Sequence, residues 1–332
     1  MQRIHAPFHI LRASQFDRVF LDYLCLLTDT IRRFDKTENG MLYLLSLLRH
    51  KRAMLYFTQP STRTFLSFQS ACSILGMHSS EIRDSSVSSE RKGESIEDSL
   101  RTFSSYVDLI IMRSPVSGLC DRIADLLDKT PRPVPIINAG SGPDEHPTQA
   151  LLDIYTLNRS FIKSGGIEGK TICMVGDLKR GRTIKSLSYL LTNYPGVRLL
   201  FCSPEEYRIG SDLKSFLNSK KVHIEETSDF KNAIASADAI YMTRVQDEYD
   251  AVDSAMNKVD VSQFKLKFEH LRILKPEAVI MHPMPRRDEL DVKIDADPRA
   301  KYWRQERNGM WTRTALIAMI FGVDKHIVLP EF

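Results

Sequence analysis

Long apolar runs are absent from this chain of 332 residues. No stretch approaches the ~18 consecutive apolar residues of a membrane-spanning helix, so no membrane span is expected. The opening residues, MQRIHAPFHILRASQFD, lack a basic head joined to an apolar run. A secretory signal is therefore not expected, and a cytoplasmic location is. Cysteine is sparse and odd in number: Cys25, Cys72, Cys120, Cys173 and Cys202, with no CxxC pair and no Cys/His ligand spacing. That pattern predicts reduced thiols rather than a disulfide framework, and no bound metal. No sign of charge dominates, since 46 Lys and Arg face 42 Asp and Glu. There is no basic stripe with interleaved aromatics, which argues against nucleic acid as a partner; a mild preference for anionic substrates fits the small surplus. Internal repeats, low-complexity tracts and the nucleotide loops GxGxxG and GxxxxGK[ST] are also missing.

What is present suits a soluble α/β protein. With 42% hydrophobic residues and a length about twice the ~150 residues of a typical domain, two cores are expected. Residues 14–34 carry Phe16, Val19, Phe20, Tyr23, Leu24 and Leu27 at three- and four-residue spacing, which predicts an amphipathic helix capped by Ser14. A strand is expected at 52–58, a helix from Thr62 to about Leu75, a polar loop at 85–94, strands at 107–114 and 135–140, and a helix at 146–157. Near 151–168 the rhythm restarts. Strands at 170–177, 197–203, 222–227, 238–244 and 278–285 alternate with helices at 183–194, in the segment ending near Lys221, and at 229–237. An apolar helix at 312–323 ends the pattern. Alternation of this kind implies two doubly wound parallel sheets, each covered by helices on both faces.

In open parallel sheets, ligands bind beyond the carboxyl ends of the strands. The chemistry-bearing residues gather at those ends. Ser61, Thr62, Arg63 and Thr64 lie between a strand and a helix, where hydroxyls, backbone N–H groups and a guanidinium can hold an anion; an ordinary helix cap is the plain alternative. Arg113 ends the next strand. His146 opens a helix after a glycine-rich turn, placed to polarise a carbonyl, with Gln149 one turn on to position an amide; a lone histidine there is more often structural. Arg182, Arg244 and Gln246 suit a dicarboxylate, or plain surface ion pairs. Ser88 and Lys92 sit on the polar loop, where Lys92 could bring an ammonium to a phosphate or simply be solvated. His282-Pro283-Met284-Pro285-Arg286 is a stiff turn whose carbonyls are available to a ligand.

The order and spacing of FTQPSTRTFLSF, SSERKGESIEDS, IIMRSP, NAGSGPDEHPTQALLDIYTL, MVGDLKRGRT, YMTRVQ and MHPMPRRDELD resemble the aspartate/ornithine transcarbamoylase family over about residues 50–320. The variant is similar to the aspartate enzymes: the ornithine enzymes carry an HCLP turn where this chain has His282-Pro283-Met284-Pro285, and they lack the lysine matching Lys92. The resemblance implies a carbamoyl-phosphate domain at 1–150, with a C-terminal helix in 310–332 packed back on it, and an aspartate domain at 151–309. It places the active site in the cleft between them. It further implies a homotrimer with shared sites, in which Ser88 and Lys92 reach the neighbour's site; it leaves regulatory chains open and calls for no cofactor. By matched position, Ser61 to Thr64 and Arg113 hold the phosphate. Thr64, Arg113 and His146 polarise the carbonyl, and Gln149 with the Pro283 and Met284 carbonyls holds the carbamoyl NH2. Arg182, Arg244, Gln246 and Lys92 bind aspartate, and the Met284–Pro285 bond is expected cis. Four positions depart from the pattern. Gln59 stands where glutamate is common, Phe65 where arginine is, Arg180 where tyrosine or asparagine is, and Tyr249 where an arginine often follows Arg-Val-Gln. With both ends of one closing ion pair replaced, closure is expected to rely on substrate contacts and hydrogen bonds.

Overall fold

The structure, a computed structural model, describes residues 4–84, 93–142, 145–245 and 259–327. The chain divides into two compact units, Met1–Leu152 with Asn308–Phe332, and Asp153–Arg307. The divisions fall inside two helices, α6 (Pro147–Phe161) and α10 (Tyr302–Ile320).

The first unit is built on four parallel strands: β1 (Arg52–Phe57), β2 (His78–Ile82), β3 (Leu109–Arg113) and β4 (Ile136–Asn138), in the order β2-β1-β3-β4. β1, β3 and β4 are apolar and almost wholly buried, as strands covered on both faces must be. Around them lie α1 (Arg18–Phe34), α2 (Glu38–Leu47), α3 (Thr62–Ile74), α4 (Ile96–Ser104) and α5 (Leu119–Asp128). α1 buries Phe20, Leu24, Leu27 and Ile31, the four-three-four spacing of one helical face. Its cap differs from the sequence expectation. Ser14 lies in a short 3-10 turn, Ala13–Gln15, and the Asp17 carboxylate accepts the Phe20 N–H at 2.8 Å instead. The physical reason is that Gln15 turns its side chain back onto the N–H groups of Leu11 and Arg12, which starts a separate turn before the helix. In α4 the Ser95 hydroxyl accepts the Asp98 N–H, and Glu97 and Asp98 occupy the positive helix end. α5 packs Leu119, Cys120, Ile123 and Leu127 onto Tyr56, Ile110 and Met112 of the sheet.

The second unit has five parallel strands: β5 (Thr171–Val175), β6 (Arg198–Cys202), β7 (His223–Thr227), β8 (Ala239–Met242) and β9 (Val279–Met281), in the order β7-β6-β5-β8-β9. Helices α7 (Arg182–Leu191), α8 (Ser211–Ser219) and α9 (Phe230–Ser236) connect them. One core joins Cys173, Val175, Ile240, Met242 and Ile280 of the sheet to Phe230 and Ile234 of α9. All five cysteines are buried free thiols; burial pushes Cys72 up to about 12 and Cys202, also beside Asp229, up to about 12. Among the described residues no helix is long and apolar enough to cross a membrane, and no group of three His, Cys, Asp or Glu side chains could hold a metal.

In both sheets the chain starts at an inner strand, winds outward, then crosses to the other side. The reversals fall between β1 and β3 in the first unit and between β5 and β8 in the second. At the second reversal Gly176 lets the backbones touch. Its φ is +117°, and a Cβ there would lie 2.2 Å from the Thr243 carbonyl oxygen. Gly176→Ala should therefore cost about 2–4 kcal/mol of unfolding free energy, from strain and overpacking together. Denaturant titration checks this; a loss below about 0.5 kcal/mol would contradict the close approach.

Candidate active site

Two sets of side chains stand at the two reversals. In the first unit, Ser61 to Thr64 follow β1 and Arg113 closes the adjacent β3. Ser61 is the residue before α3, yet its hydroxyl makes no capping bond to the helix. The first-turn N–H groups are thus not satisfied by their own cap, and the positive end of a thirteen-residue helix faces outward with Thr62 and Arg63 exposed. Thr64 is buried. Arg113 is buried too, and its guanidinium donates to the Ala139 carbonyl at 3.4 Å.

His146 and Gln149 come from the next strand over. Beyond β4 the chain turns back through Ala139–Gly142, and Asn138 shapes that turn. Its Oδ1 accepts the N–H groups of Gly140 and Ser141, both at 2.9 Å, while its Nδ2 donates to the Leu11 carbonyl. Gly140 (φ +95°) lies against the His146 ring, where a Cβ would sit 2.6 Å from Cδ2. No larger residue leaves the imidazole where it is. His146 then starts α6: its carbonyl accepts from Ala150 N–H at 3.2 Å, and Pro147 takes the first helical position. Gln149 is buried one turn on. From α10, Arg313 donates to the Ser67 hydroxyl at 2.7 Å and lies over the Phe68 ring, fastening that helix to α3.

In the second unit, Arg182 occupies the first position of α7 rather than a strand end, and Arg244 lies two residues past β8. The guanidinium of Arg244 donates to the Val245 carbonyl at 3.0 Å. Gln246, Ser88, Lys92 and Tyr249 lie outside the described residues. The turn after β9 is held from several sides. The His282 backbone N–H donates to Gln305 Oε1 at 2.9 Å. His282 Nδ1 accepts the Met284 N–H at 2.8 Å, so the ring proton sits on Nε2, which donates to Glu289 Oε1 at 2.7 Å. Glu289 also accepts the Arg287 N–H. Met284 takes a left-handed φ of +54°, and the Met284–Pro285 bond is cis. Arg286 forks onto Asp295, which also accepts from the Tyr302 hydroxyl.

Of the departures, Phe65 is buried edge-on to Phe57, with the Arg83 guanidinium 4.6 Å above its ring. Arg180 donates to the buried Asp177 at 2.7 Å and stacks over Tyr207, so its charge is answered locally. Gln59 donates its backbone N–H to the Arg113 carbonyl at 3.2 Å, and its buried Oε1 has no hydrogen-bond partner among the described residues. The sequence reading missed Asn138, Asp153, Tyr241 and Gln305, the buried polar groups behind these residues. The one available signal was a polar side chain inside an apolar strand or helix.

Two carboxylates bonded to the turn after β9, Glu289 and Asp295, are shifted the same way. Burial pushes Glu289 up, but its bonds from His282 and Arg287 outweigh that and leave it below its ordinary 4.5. Asp295 falls to about 2 from 3.8, chiefly through its bond from Arg286. Both folded values are depressed, so their stabilisation is fully present above the unfolded values and is lost as pH falls through the folded ones. The thermal midpoint should drop as pH falls from 4.5 towards about 2, and drop less steeply in a Glu289→Gln/Asp295→Asn variant. Equal slopes would contradict the assignment.

Residues 9–159 match the family model "Aspartate/ornithine carbamoyltransferase, carbamoyl-P binding domain", and residues 168–320 match "Aspartate/ornithine carbamoyltransferase, Asp/Orn binding domain". Aspartate carbamoyltransferase 2, chloroplastic, of Pisum sativum is 40% identical over 319 residues, covering 94% of this chain and 78% of that protein. The aspartate carbamoyltransferase catalytic subunit of Thermococcus gammatolerans is 39% identical over 84% of this chain and 87% of its own length. Among solved structures, aspartate transcarbamoylase from Trypanosoma cruzi, in complex with carbamoyl phosphate and aspartate, superposes with a TM-score of 0.83 at 34% identity, covering 93% of this chain and 95% of that one. The chain belongs to the aspartate/ornithine carbamoyltransferase family.

Proposed function

We propose that this chain is an aspartate carbamoyltransferase, which moves the carbamoyl group of carbamoyl phosphate onto the amine of L-aspartate, an early step of pyrimidine synthesis. The observation that carries the acceptor is the pair Arg182 and Arg244, which follow the two strands flanking the second unit's reversal. Two guanidiniums suit the two carboxylates of aspartate.

In this reading the first unit binds carbamoyl phosphate. The α3 amino end, Ser61, Thr62 and Arg63 hold the phosphate, and Arg113 bridges phosphate and carbonyl. Thr64, Arg113 and His146 polarise the carbonyl oxygen. Gln149 and the carbonyls of Pro283 and Met284 accept the N–H bonds of the carbamoyl group. The second unit supplies Arg182, Arg244 and Gln246 to aspartate.

The aspartate amine, unprotonated, attacks the carbamoyl carbon. A C–N bond forms, negative charge collects on the carbonyl oxygen, and the bond from carbon to the phosphate oxygen breaks. The departing phosphate takes the proton that the amine gives up. No side chain becomes covalently attached. The protein contributes orientation and stabilisation of the oxyanion by donors fixed before the reaction.

The same reading includes a homotrimer, with Ser88 and Lys92 entering the neighbouring subunit's site, and a cytoplasmic location, in keeping with five buried free thiols. Regulatory chains are partners that this family reading admits without requiring. Purified protein given carbamoyl phosphate should form N-carbamoylaspartate from aspartate and nothing from ornithine. His146→Ala should lower turnover about 10²–10³-fold, the usual effect of removing one oxyanion donor. Product from ornithine alone would overturn the acceptor, and near-normal turnover in His146→Ala would overturn the role of that histidine.

A further inference from the structure

A buried chain of hydrogen bonds runs through the second unit between its two ligand-facing elements. Its centre is Asp153, which is completely buried on α6. Asp153 Oδ2 accepts from the Tyr241 hydroxyl at 2.7 Å, and Oδ1 accepts from Gln305 Nε2 at 2.7 Å. On one side, Gln305 Oε1 accepts the backbone N–H of His282, the residue before Pro283 and Met284. On the other, Tyr241 receives a hydrogen bond from the Thr183 side chain, the residue after Arg182. Tyr241, Gln305 and His282 are themselves almost fully buried.

We infer that Asp153 is a positioning residue for the transfer reaction: through Tyr241 and Gln305 it holds the start of α7, with Arg182, and the turn after β9, with the Pro283 and Met284 carbonyls, in one fixed arrangement. This rests on the function proposed above and deepens it.

Polarity is what makes the chain directional. An ionised carboxylate only accepts, so both neighbours must donate to it. That requirement fixes which way the Gln305 amide faces, with its oxygen towards His282. A flipped amide would oppose two N–H donors and leave them unsatisfied in a buried place, which costs more than the bond itself. Burial and the adjacent carboxylate push the Tyr241 hydroxyl well above its ordinary range, so it keeps its proton and donates. The gain is geometric: carbonyls that grip a carbamoyl NH2 serve only if they stand within about half an ångström of the productive position.

The test exchanges the polarity of the central bond. In Asp153→Asn the new NH2 must face either the Gln305 NH2, whose amide then turns away from His282, or the Tyr241 hydroxyl, whose proton then turns away. In Gln305→Glu two carboxylates confront one another. In the double variant, the introduced asparagine donates to the introduced glutamate, whose other oxygen still accepts from His282. Each single variant should lose about tenfold or more in kcat, since small misplacements cost up to about 10²-fold. The double variant should recover most of that loss. A role confined to stability would move the thermal midpoint without this pattern in kcat. Tyr241→Phe, which deletes one hydroxyl, serves where a single variant fails to fold, and should raise KM for aspartate more than for carbamoyl phosphate. Folded Asp153→Asn or Tyr241→Phe enzyme with wild-type kcat and KM, or a folded double variant no better than its worse parent, would overturn the positioning role alone. A wild-type chain that makes no carbamoylaspartate would overturn the functional reading beneath it.

Discussion

Parallel strands impose one constraint on which everything else in this protein depends. When a parallel sheet is wound outward in both directions from its middle, the two loops leaving the central strands go to opposite faces and open a crevice at the strand ends. Each unit of this chain has one such reversal, between β1 and β3 and between β5 and β8. Ser61 to Thr64 and Arg113 stand at the first, and Arg182 and Arg244 at the second. The candidate anion-holding groups are therefore placed by topology before any contact to a ligand is considered.

Topology alone sets position to a few ångströms, and chemistry needs better. The remaining precision comes from buried polar groups and close backbone approaches. Asn138 folds the turn that brings His146 back to the sheet edge, and Gly140 leaves the room its ring fills. His282 spends both ring nitrogens on structure, one on Met284 and one on Glu289, and so holds a left-handed residue in place at an ordinary cost of about 1–2 kcal/mol. Such networks are worth having only when every member is satisfied. In the turn after β9 each polar group just named has a partner within ordinary hydrogen-bond distance.

Much of this was legible in the sequence, for reasons that differ by element. β5, β6, β8 and β9 announce themselves because a strand buried on both faces reads as a short continuous apolar run. β2 does not: His-Ser-Ser-Glu-Ile is polar, mostly exposed, and a strand only because β1 offers it a ladder. α2 hides behind Asn39-Gly40, which reads as a turn; Gly40 is required because a Cβ would lie 2.0 Å from the Phe34 carbonyl oxygen. α4 and α5 also went unanticipated, although α5 carries Leu119, Ile123 and Leu127 on one face and is disguised mainly by Gly118 as its cap. α10 begins at Tyr302, ten residues before the apolar stretch that signals it, because its first turns are mixed in character. Candidate site residues were picked out by motif order. Their supports were not, since a buried Asp153 or Gln305 looks in sequence like any solvated polar residue until the fold brings its partner from 152 positions away. Phe65 shows the reverse case, a departure from the family pattern that the core absorbs against Phe57.

We propose that two anion sites of different chemistry occupy the two reversals. A crystal structure of the protein with carbamoyl phosphate and aspartate tests it most directly. The expected result is phosphate at the amino end of α3 beside Arg113, the carbamoyl oxygen facing His146, and the aspartate carboxylates on Arg182 and Arg244. Phosphate bound elsewhere, for instance in the groove lined by Lys231, Lys267 and His270, with the end of α3 empty, would contradict it.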